Sequence, residues 1–336
     1  MRFRASVFWV ALAVLGLWAV TASGERVSIL LYTSVPIEIM TKIEETFEAV
    51  NPDIDLVVFR TGTGKLKAKI ATECEVGKIE ADLIWVADFT YYETLKEMRC
   101  GTLVGQLLYY KPPAAAAIPA ELYDKEGYYY GARIINMVIA YNTTLVQEPP
   151  RKWKDLLDEK WKDQIIMGNV LYSGALVDTM GALVMRYGLE YFEKLRENGA
   201  VVVRSNTGAA KAIAAGEYPV GITLDYIVRN LKAKGSPIDL VYPQDGPVVI
   251  PSPIAIVAST DQPEAAKRFV DYLLSKEGQE TLVKLGNFVS VIPEVSPPPG
   301  APALEELMEM AMPLDWDWIR RNMEWLNEQW TRIMLD

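Results

Sequence analysis

Short apolar runs alternate with segments of helical spacing in the first third of the chain. Val27–Tyr32, Ile54–Phe59 and Ala81–Val86 are apolar runs of strand length, and polar segments with an apolar helix face follow them, among them Lys65–Cys74 and Tyr91–Met98. Runs of this kind are typical of strands in a parallel sheet that is covered on both faces. The βαβαβα order predicts an α/β fold with a right-handed, doubly wound parallel sheet.

Two longer apolar segments divide the chain. Tyr128–Tyr141 and Val248–Ala258 are β-rich, and each is long enough to cross from one domain to another. A second set of strands and helices lies between them, including the helix Ser173–Tyr187 and the strand Val220–Leu224. Two crossings predict two α/β lobes joined by paired hinge strands, with a cleft that closes by hinge bending.

The predicted boundaries follow from these crossings. Residues 25–135 and 257–336 form lobe 1, and residues 136–256 form lobe 2. Lobe 1 includes a last helix over about 315–335, in which Ile319, Met323, Leu326 and Trp330 form one packing face.

Residues 1–24 have the pattern of an export signal. Arg2 and Arg4 precede the apolar run Val7–Val20, and small residues suited to cleavage follow it. Retention of this run as a short membrane anchor is the alternative, although the run is close to the lower length limit for a span. We expect export to the periplasm or the outer face of the membrane.

The composition and net charge weigh against several classes of function. The chain has 336 residues, a formal net charge of −10 and no histidine. The charge argues against nucleic acid as a partner. The absence of histidine removes Ser-His-Asp and Cys-His catalysis and every histidine-ligated metal site. Nucleophilic enzymes without histidine exist, so this absence weighs against hydrolase chemistry without excluding it. We expect no catalytic residues, no cofactor and no resident metal. Export makes a disulfide between Cys74 and Cys100 possible, and spacing alone leaves it open.

Small and hydroxyl residues collect where predicted strands lead into helices. In open α/β sheets such junctions hold ligands, because free backbone N–H groups point outward there. These residues are Thr33 and Ser34, Thr61, Gly62 and Thr63, Ser173 and Gly174, and Asn206, Thr207 and Gly208. Each alone is better explained as an ordinary helix N-cap. Together, at one edge of a two-lobed fold, they indicate a site for a phosphate-like oxyanion.

Several segments, in this order, resemble a known family. They are Tyr32-Thr33-Ser34, the strand Ala81–Asp88, Tyr130-Gly131-Ala132-Arg133, Ile139–Asn142, Ala215-Gly216-Glu217, Ile250–Ala255 and Ser275–Leu282. With them the mature chain resembles the extracellular solute-binding proteins of ABC importers, in the branch that includes ferric-ion, phosphonate and sugar-phosphate binders. The resemblance implies a two-lobed, type II-like fold in a monomer that delivers one small ligand to a membrane permease and is not an enzyme.

The resemblance leaves the ligand open. Ferric binders of this branch commonly carry adjacent tyrosines where this sequence has Asp225-Tyr226 followed by Ile227. The broken pair favours a phosphonate or phosphate ester, for example an aminoalkylphosphonate. Its amine would pair with Asp225 and Asp88, while Arg133 and Arg229 would add positive charge. Ferric iron held by Tyr226 and Asp225 is the alternative. An enzyme acting on a phosphate ester, or a purely structural adaptor, is more remote.

Overall fold

The computed structural model describes residues 26–336, so the predicted export signal lies outside the described residues. The first lobe is built on three parallel strands in the order β2-β1-β3. Its strands and helices are β1 (Val27–Thr33), α1 (Ile37–Val50), β2 (Ile54–Arg60), α2 (Thr63–Glu75), β3 (Leu83–Trp85) and α3 (Thr90–Glu97). A short ribbon of β4 (Arg99–Cys100) and β5 (Leu103–Val104) follows them.

Two long antiparallel strands connect the lobes, as predicted. They are β6 (Tyr130–Asn142) and β11 (Val248–Ile256), and almost every residue in them is buried. β11 also pairs with β3, and β6 pairs with β9 of the second lobe. The register between the two long strands shifts at Ser252/Pro253. A proline has no N–H to donate to a ladder, so the irregularity lies where the sequence cannot maintain regular pairing.

The second lobe continues the same sheet. Its elements are β7 (Ile165–Gly168), α4 (Gly174–Tyr187), α5 (Glu190–Glu197), β8 (Val201–Val203), α6 (Asn206–Ala214), β9 (Val220–Leu224), α7 (Asp225–Ala233) and β10 (Ile238–Val241). The whole sheet runs β2-β1-β3-β11-β6-β9-β7-β8, with β10 beside β6. The predicted two-lobed α/β fold with two hinge strands is confirmed. The lobes share one mixed sheet, because the hinge strands pair with both halves.

The C-terminal part returns to both lobes. It contains α8 (Pro263–Leu274), α9 (Lys276–Gly286), α10 (Leu304–Met310), α11 (Trp316–Arg321), α12 (Met323–Trp330) and a π-helical turn, Thr331–Leu335. The prediction of one helix over about 315–335 is wrong, because the backbone leaves helical geometry at Asn322. α11 contacts α3 and α4, and α12 contacts α4. The C-terminal helices therefore touch both lobes, and the exact lobe boundaries remain a prediction.

The two cysteines are joined. Cys74 at the end of α2 and Cys100 in β4 form a disulfide with Cα atoms 4.6 Å apart, within the ordinary bridging range. Neither cysteine lies at the cleft between the lobes. Within residues 26–336, no helix is both long enough and apolar enough to span a bilayer.

Candidate ligand-binding cleft

A cavity of about 50 Å³ lies between the two lobes. The first lobe, the second lobe and the hinge strand β6 all contribute to its wall. The lining residues are Ser34, Arg60, Gly62, Thr63, Ala87, Arg133, Ile135, Tyr172, Ser173, Ala175, Ser205, Asn206, Thr207, Leu224, Tyr226 and Ile227. Among these described residues are two arginines and no aspartate or glutamate. The cavity is therefore electropositive in a chain whose net charge is −10.

Three of the helices that begin at this cavity have a glycine or serine as their N-cap residue. α2 starts after Gly62, α4 after Ser173 and α6 after Ser205, and each of these N-cap residues lines the wall. The first N–H groups of a helix have no partner within the helix, and the helix dipole adds partial positive charge at that end. Three such ends around one small space form a site suited to an oxyanion.

Arg133 supplies a buried positive charge. Its side chain is 1% exposed, and its Nε and Nη1 atoms have no hydrogen-bond partner within the described chain. The guanidinium carbon lies 4.3 Å from the centre of the Phe288 ring, 5.3 Å from that of Trp85 and 5.5 Å from that of Tyr226. These rings hold the guanidinium in place by stacking. Burial lowers the pKa of Arg133 to about 10, so it stays protonated at neutral pH.

Arg60 and Tyr226 complete the polar wall. Arg60 is exposed at the end of β2, and its Nε donates to the carbonyl oxygen of Val35 at 3.2 Å. Burial raises the pKa of Tyr226, and the nearby positive charge of Arg133 opposes that shift. The phenol of Tyr226 is therefore neutral at physiological pH and acts as a hydrogen-bonding group.

The lobes touch each other beside the cavity. The Gly64 N–H donates to the carbonyl oxygen of Tyr172 at 3.4 Å. A Cβ atom added at Gly62 would lie 2.5 Å from the Tyr172 ring, and one at Gly174 would lie 2.6 Å from the carbonyl oxygen of Ala87. Gly174 is needed for this close approach because it faces backbone, whereas a side chain at Gly62 would displace the Tyr172 ring. The described arrangement is a closed cleft.

Eight of the fourteen predicted site residues line this cavity: Ser34, Gly62, Thr63, Arg133, Ser173, Asn206, Thr207 and Tyr226. The other six do not. The Thr33 hydroxyl donates to the Trp85 carbonyl oxygen at 2.8 Å within the first lobe. Thr61 and Gly208 lie beside lining residues, and Gly174 is used in the lobe contact.

The placement of Asp225 in the site needs correction. Its carboxylate is fully buried and accepts hydrogen bonds from the Asn136 side chain at 2.8 Å, from Arg229 at 2.8 Å and from Tyr242 at 3.2 Å. It also accepts from the Asn136 and Tyr226 N–H groups. These contacts use the acceptor capacity of the carboxylate. Asp225 ties α7 to the hinge strand and does not face the cavity.

Asp88 is likewise paired within the protein. It forms an ion pair with Lys67 and accepts from the Thr90 hydroxyl at 2.8 Å. A second carboxyl, that of Asp178 on α4, is also fully buried, and neither of its oxygens has a hydrogen-bond partner among residues 26–336. Burial and the negative charge of Asp88 raise the pKa of Asp178 well above its ordinary value. Neither carboxyl lines the cavity.

Several lining residues were missed by the sequence prediction. Arg60 directly precedes the predicted loop, and Tyr172 directly precedes the predicted Ser173. Only their positions next to predicted site residues could have identified them. Ala87, Ile135 and Ile227 are apolar and carry no sequence signal for a site.

Two α/β lobes, two hinge strands and a polar cavity at their junction define the class of periplasmic binding proteins. A periplasmic binding protein from Actinobacillus pleuropneumoniae, solved with fructose 6-phosphate bound, has the same fold, with a TM-score of 0.80 and 23% identity. The alignment covers 93% of this chain and 99% of that one. The family model for bacterial extracellular solute-binding proteins matches residues 99–322, and the chain belongs to that family.

Curated relatives with different ligands in their names match parts of the chain. A putative 2-aminoethylphosphonate-binding periplasmic protein of Salmonella paratyphi A is 27% identical over 203 residues, 55% of this chain and 56% of that protein. The major ferric iron-binding protein of Neisseria meningitidis serogroup B is 29% identical over 162 residues, 43% of this chain and 47% of that protein. The chain spans about half the length of the curated relatives it matches.

Proposed function

We propose that this protein is the solute-binding component of an ABC importer and that it captures a small solute by its phosphate or phosphonate group. The observation that carries the proposal is the guanidinium of Arg133, which is buried at the cavity with two nitrogen atoms unpartnered within the described chain. A buried charge without a partner is costly. A bound oxyanion would supply both the missing charge and the missing acceptors.

The shape of the donor set supports a tetrahedral oxyanion. An arginine can donate two parallel hydrogen bonds to a phosphate, and the ends of three helices can approach its other oxygens. The stacking of Arg133 against Phe288 fixes the plane of the guanidinium before a ligand arrives. Such preorganisation reduces the entropy lost on binding.

Ferric iron is less well supported. Fe³⁺ favours several anionic oxygen ligands. The described lining offers the phenols of Tyr172 and Tyr226 and no carboxylate. The charges of Arg133 and Arg60 oppose a trivalent cation in the same small space. The iron alternative would need a tyrosinate from Tyr226, whose pKa burial raises.

Pairing of a ligand amine with Asp225 and Asp88 has no support in this cleft, because Asp225 is paired with Arg229 and Asp88 with Lys67. Transport without catalysis remains the better account. The relatives are named as binding proteins, and no nucleophile with an adjacent base faces the cavity among the described residues. In this proposal the exported protein works as a monomer and delivers the ligand to the transmembrane subunits.

Isothermal titration calorimetry on protein refolded to remove bound solutes tests the proposal. The titrants are inorganic phosphate, methylphosphonate, fructose 6-phosphate and ferric citrate. We expect saturable binding of at least one phosphorus oxyanion, with no turnover of the ester. Binding of iron alone, with an absorption band from tyrosinate coordination, would overturn the proposed ligand class.

A further inference from the structure

A second cavity adjoins the first. Its volume is about 210 Å³, against about 50 Å³ for the cavity at Arg133. It is lined by Pro36, Glu38, Ile39, Lys42, Thr207, Lys211, Tyr226, Ile227, Asn230, Leu231, Lys234 and Leu285. Thr207, Tyr226 and Ile227 line both cavities. The two spaces therefore share one wall, and the second also lies between the lobes, bordered by α1 on one side and α6 and α7 on the other.

The second cavity is positively charged at its rim. Lys42, Lys211 and Lys234 come from α1, α6 and the end of α7, and none of them forms an ion pair within the described chain. Glu38 is the single carboxylate in the lining. By contrast, Lys232 on α7 faces away and is paired with Asp239 at 2.7 Å. Three unpaired lysines around one space attract anions at short range despite the negative net charge of the chain.

We infer that the two cavities form one ligand compartment, and that the solute carries a second acidic group at the end opposite its phosphate or phosphonate. This inference rests on the proposed function, because it takes the phosphorus oxyanion to lie at Arg133. The first cavity has room for a compact head group. The remainder of a larger ligand must then pass the shared wall at Thr207 and Tyr226.

The chemistry of the second cavity selects the remainder of the ligand. Ile39, Leu231 and Leu285 offer apolar contact to a carbon chain. The lysines then lie near the far end of that carbon chain. They attract a carboxylate or a second phosphate there and repel an ammonium group. Glu38 alone does not reverse this balance, since it stands against three positive charges. The substrate class is therefore a phosphonate or phosphate ester with two acidic ends.

Matched phosphonates test the inference directly. The compounds are 3-phosphonopropionate, propylphosphonate and 2-aminoethylphosphonate, which share the phosphonate and differ in a carboxylate, a methyl or an ammonium group. A second set with two more methylene groups covers a longer reach. By calorimetry at low salt, we expect the carboxylate to bind about tenfold tighter than the methyl compound in at least one set, as three exposed charges acting together allow. The ammonium compound should bind weakest.

Two variants test whether the tighter binding of the carboxylate compound depends on the second cavity. Lys211 lies one helical turn beyond Thr207. The variant Lys211→Glu should abolish the tighter binding of the carboxylate compound and keep the affinity for methylphosphonate within about twofold of the parent's. Lys232→Glu, on the adjacent helix and outside the cavity, is the matched control and should leave the ranking unchanged. Higher ionic strength should reduce the advantage of the carboxylate, because the three lysines are exposed.

The outcomes separate the two claims. If no phosphorus oxyanion binds, the proposed function fails and the inference fails with it. If methylphosphonate binds but the carboxylate compounds bind no tighter than the methyl compounds in both sets, the inference alone is overturned. Tightest binding of the ammonium compound would also overturn it, as would an unchanged ranking in Lys211→Glu.

Discussion

Asp178 on α4 and Asp88 after β3 are two fully buried carboxyl groups at the contact between the lobes, and burial together with the charge of Asp88 raises the pKa of Asp178. The start of α4 packs onto Asp88, since a Cβ atom added at Gly174 would lie 2.7 Å from the Asp88 Cβ atom. Lys67 forms an ion pair with Asp88 and lowers the pKa of Asp178 only in part. Burial and the charge of Asp88 therefore favour the protonated form of Asp178 in the folded, closed protein.

A raised carboxyl pKa makes stability depend on pH. Below the ordinary pKa of about 4, Asp178 is protonated in both the folded and the unfolded chain and costs nothing. As pH rises above that value, the unfolded chain releases the proton and the folded chain does not, so the free energy of unfolding falls. Asp178→Asn removes this dependence. We expect the variant to be more stable than the parent at pH 7 by about 1–3 kcal/mol, and the difference to shrink towards pH 4.

Urea denaturation at several pH values measures this difference. Asp261→Asn, an exposed carboxyl of the same type, is the control and should change stability little at any pH. If Asp178→Asn is less stable than the parent at pH 7 by the same amount as at pH 4, Asp178 is ionised in the folded protein and the account of this pair is wrong.

Closure depends on the absence of a side chain at Gly174. A Cβ atom there would meet the Ala87 carbonyl oxygen at 2.6 Å, and backbone cannot move aside as a flexible side chain can. We expect Gly174→Ala to hold the lobes apart and to weaken phosphonate binding about tenfold or more. Gly208→Ala is the control, because its nearest contact is 3.5 Å and its backbone is helical.

Calorimetry gives the affinity, and small-angle scattering with saturating ligand gives the radius of gyration. A Gly174→Ala protein that binds as tightly as the parent would show that the described lobe contact is not needed for binding.

Asp225 is predicted to be structural. Replacement by Asn leaves Arg229 buried, with its ionic partner removed. Loss of one member of a buried ion pair typically costs about 3–5 kcal/mol. We expect Asp225→Asn to lower the free energy of unfolding on this scale. Where the variant stays folded, its affinity for methylphosphonate should stay within a few fold of the parent's. A loss of affinity for amine-bearing ligands alone would instead indicate that Asp225 contacts the ligand.

The disulfide stabilises the first lobe without touching the ligand. It closes a loop between residues 26 positions apart. A loop of this length restricts the unfolded chain enough to contribute about 3 kcal/mol. Reduction, or Cys74→Ser with Cys100→Ser, should lower the free energy of unfolding by about 2–4 kcal/mol and leave phosphonate affinity unchanged. A large loss of affinity in protein that remains folded would contradict the separation of the two sites.

The local patterns in the sequence predicted most elements. Apolar runs such as Val220–Leu224 end in the structure where the pattern ends, because burial on both faces of a sheet is a local requirement. The C-terminal helix was predicted as one piece because its apolar spacing continues past Asn322, where the backbone turns. The turn depends on contacts with two lobes, and the spacing of apolar residues along one helix does not reveal such contacts.

Most of the correctly predicted site residues lie at helix ends, and Arg133 on the hinge strand β6 is an exception. Small and hydroxyl residues such as Thr63 and Ser173 mark those ends, and strand order brings them to one edge. The role of Asp225 was misjudged although Arg229, four residues away on α7, offers an ion-pair partner at helical spacing. The meeting of Asp88 with Asp178 depends on the contact between the lobes, and no spacing in the sequence reveals it.

The most direct test of the anion site is Arg133→Met, titrated with inorganic phosphate and 3-phosphonopropionate. Methionine fills a similar volume without charge, so the unliganded variant should be as stable as the parent or more stable. The account predicts that affinity for both compounds falls at least about thirtyfold, since a buried charge-assisted contact is worth about 2 kcal/mol or more. Arg268→Met, an exposed arginine far from the cleft, should bind both compounds like the parent. Binding of phosphate by a folded Arg133→Met protein within about threefold of the parent would contradict the central claim.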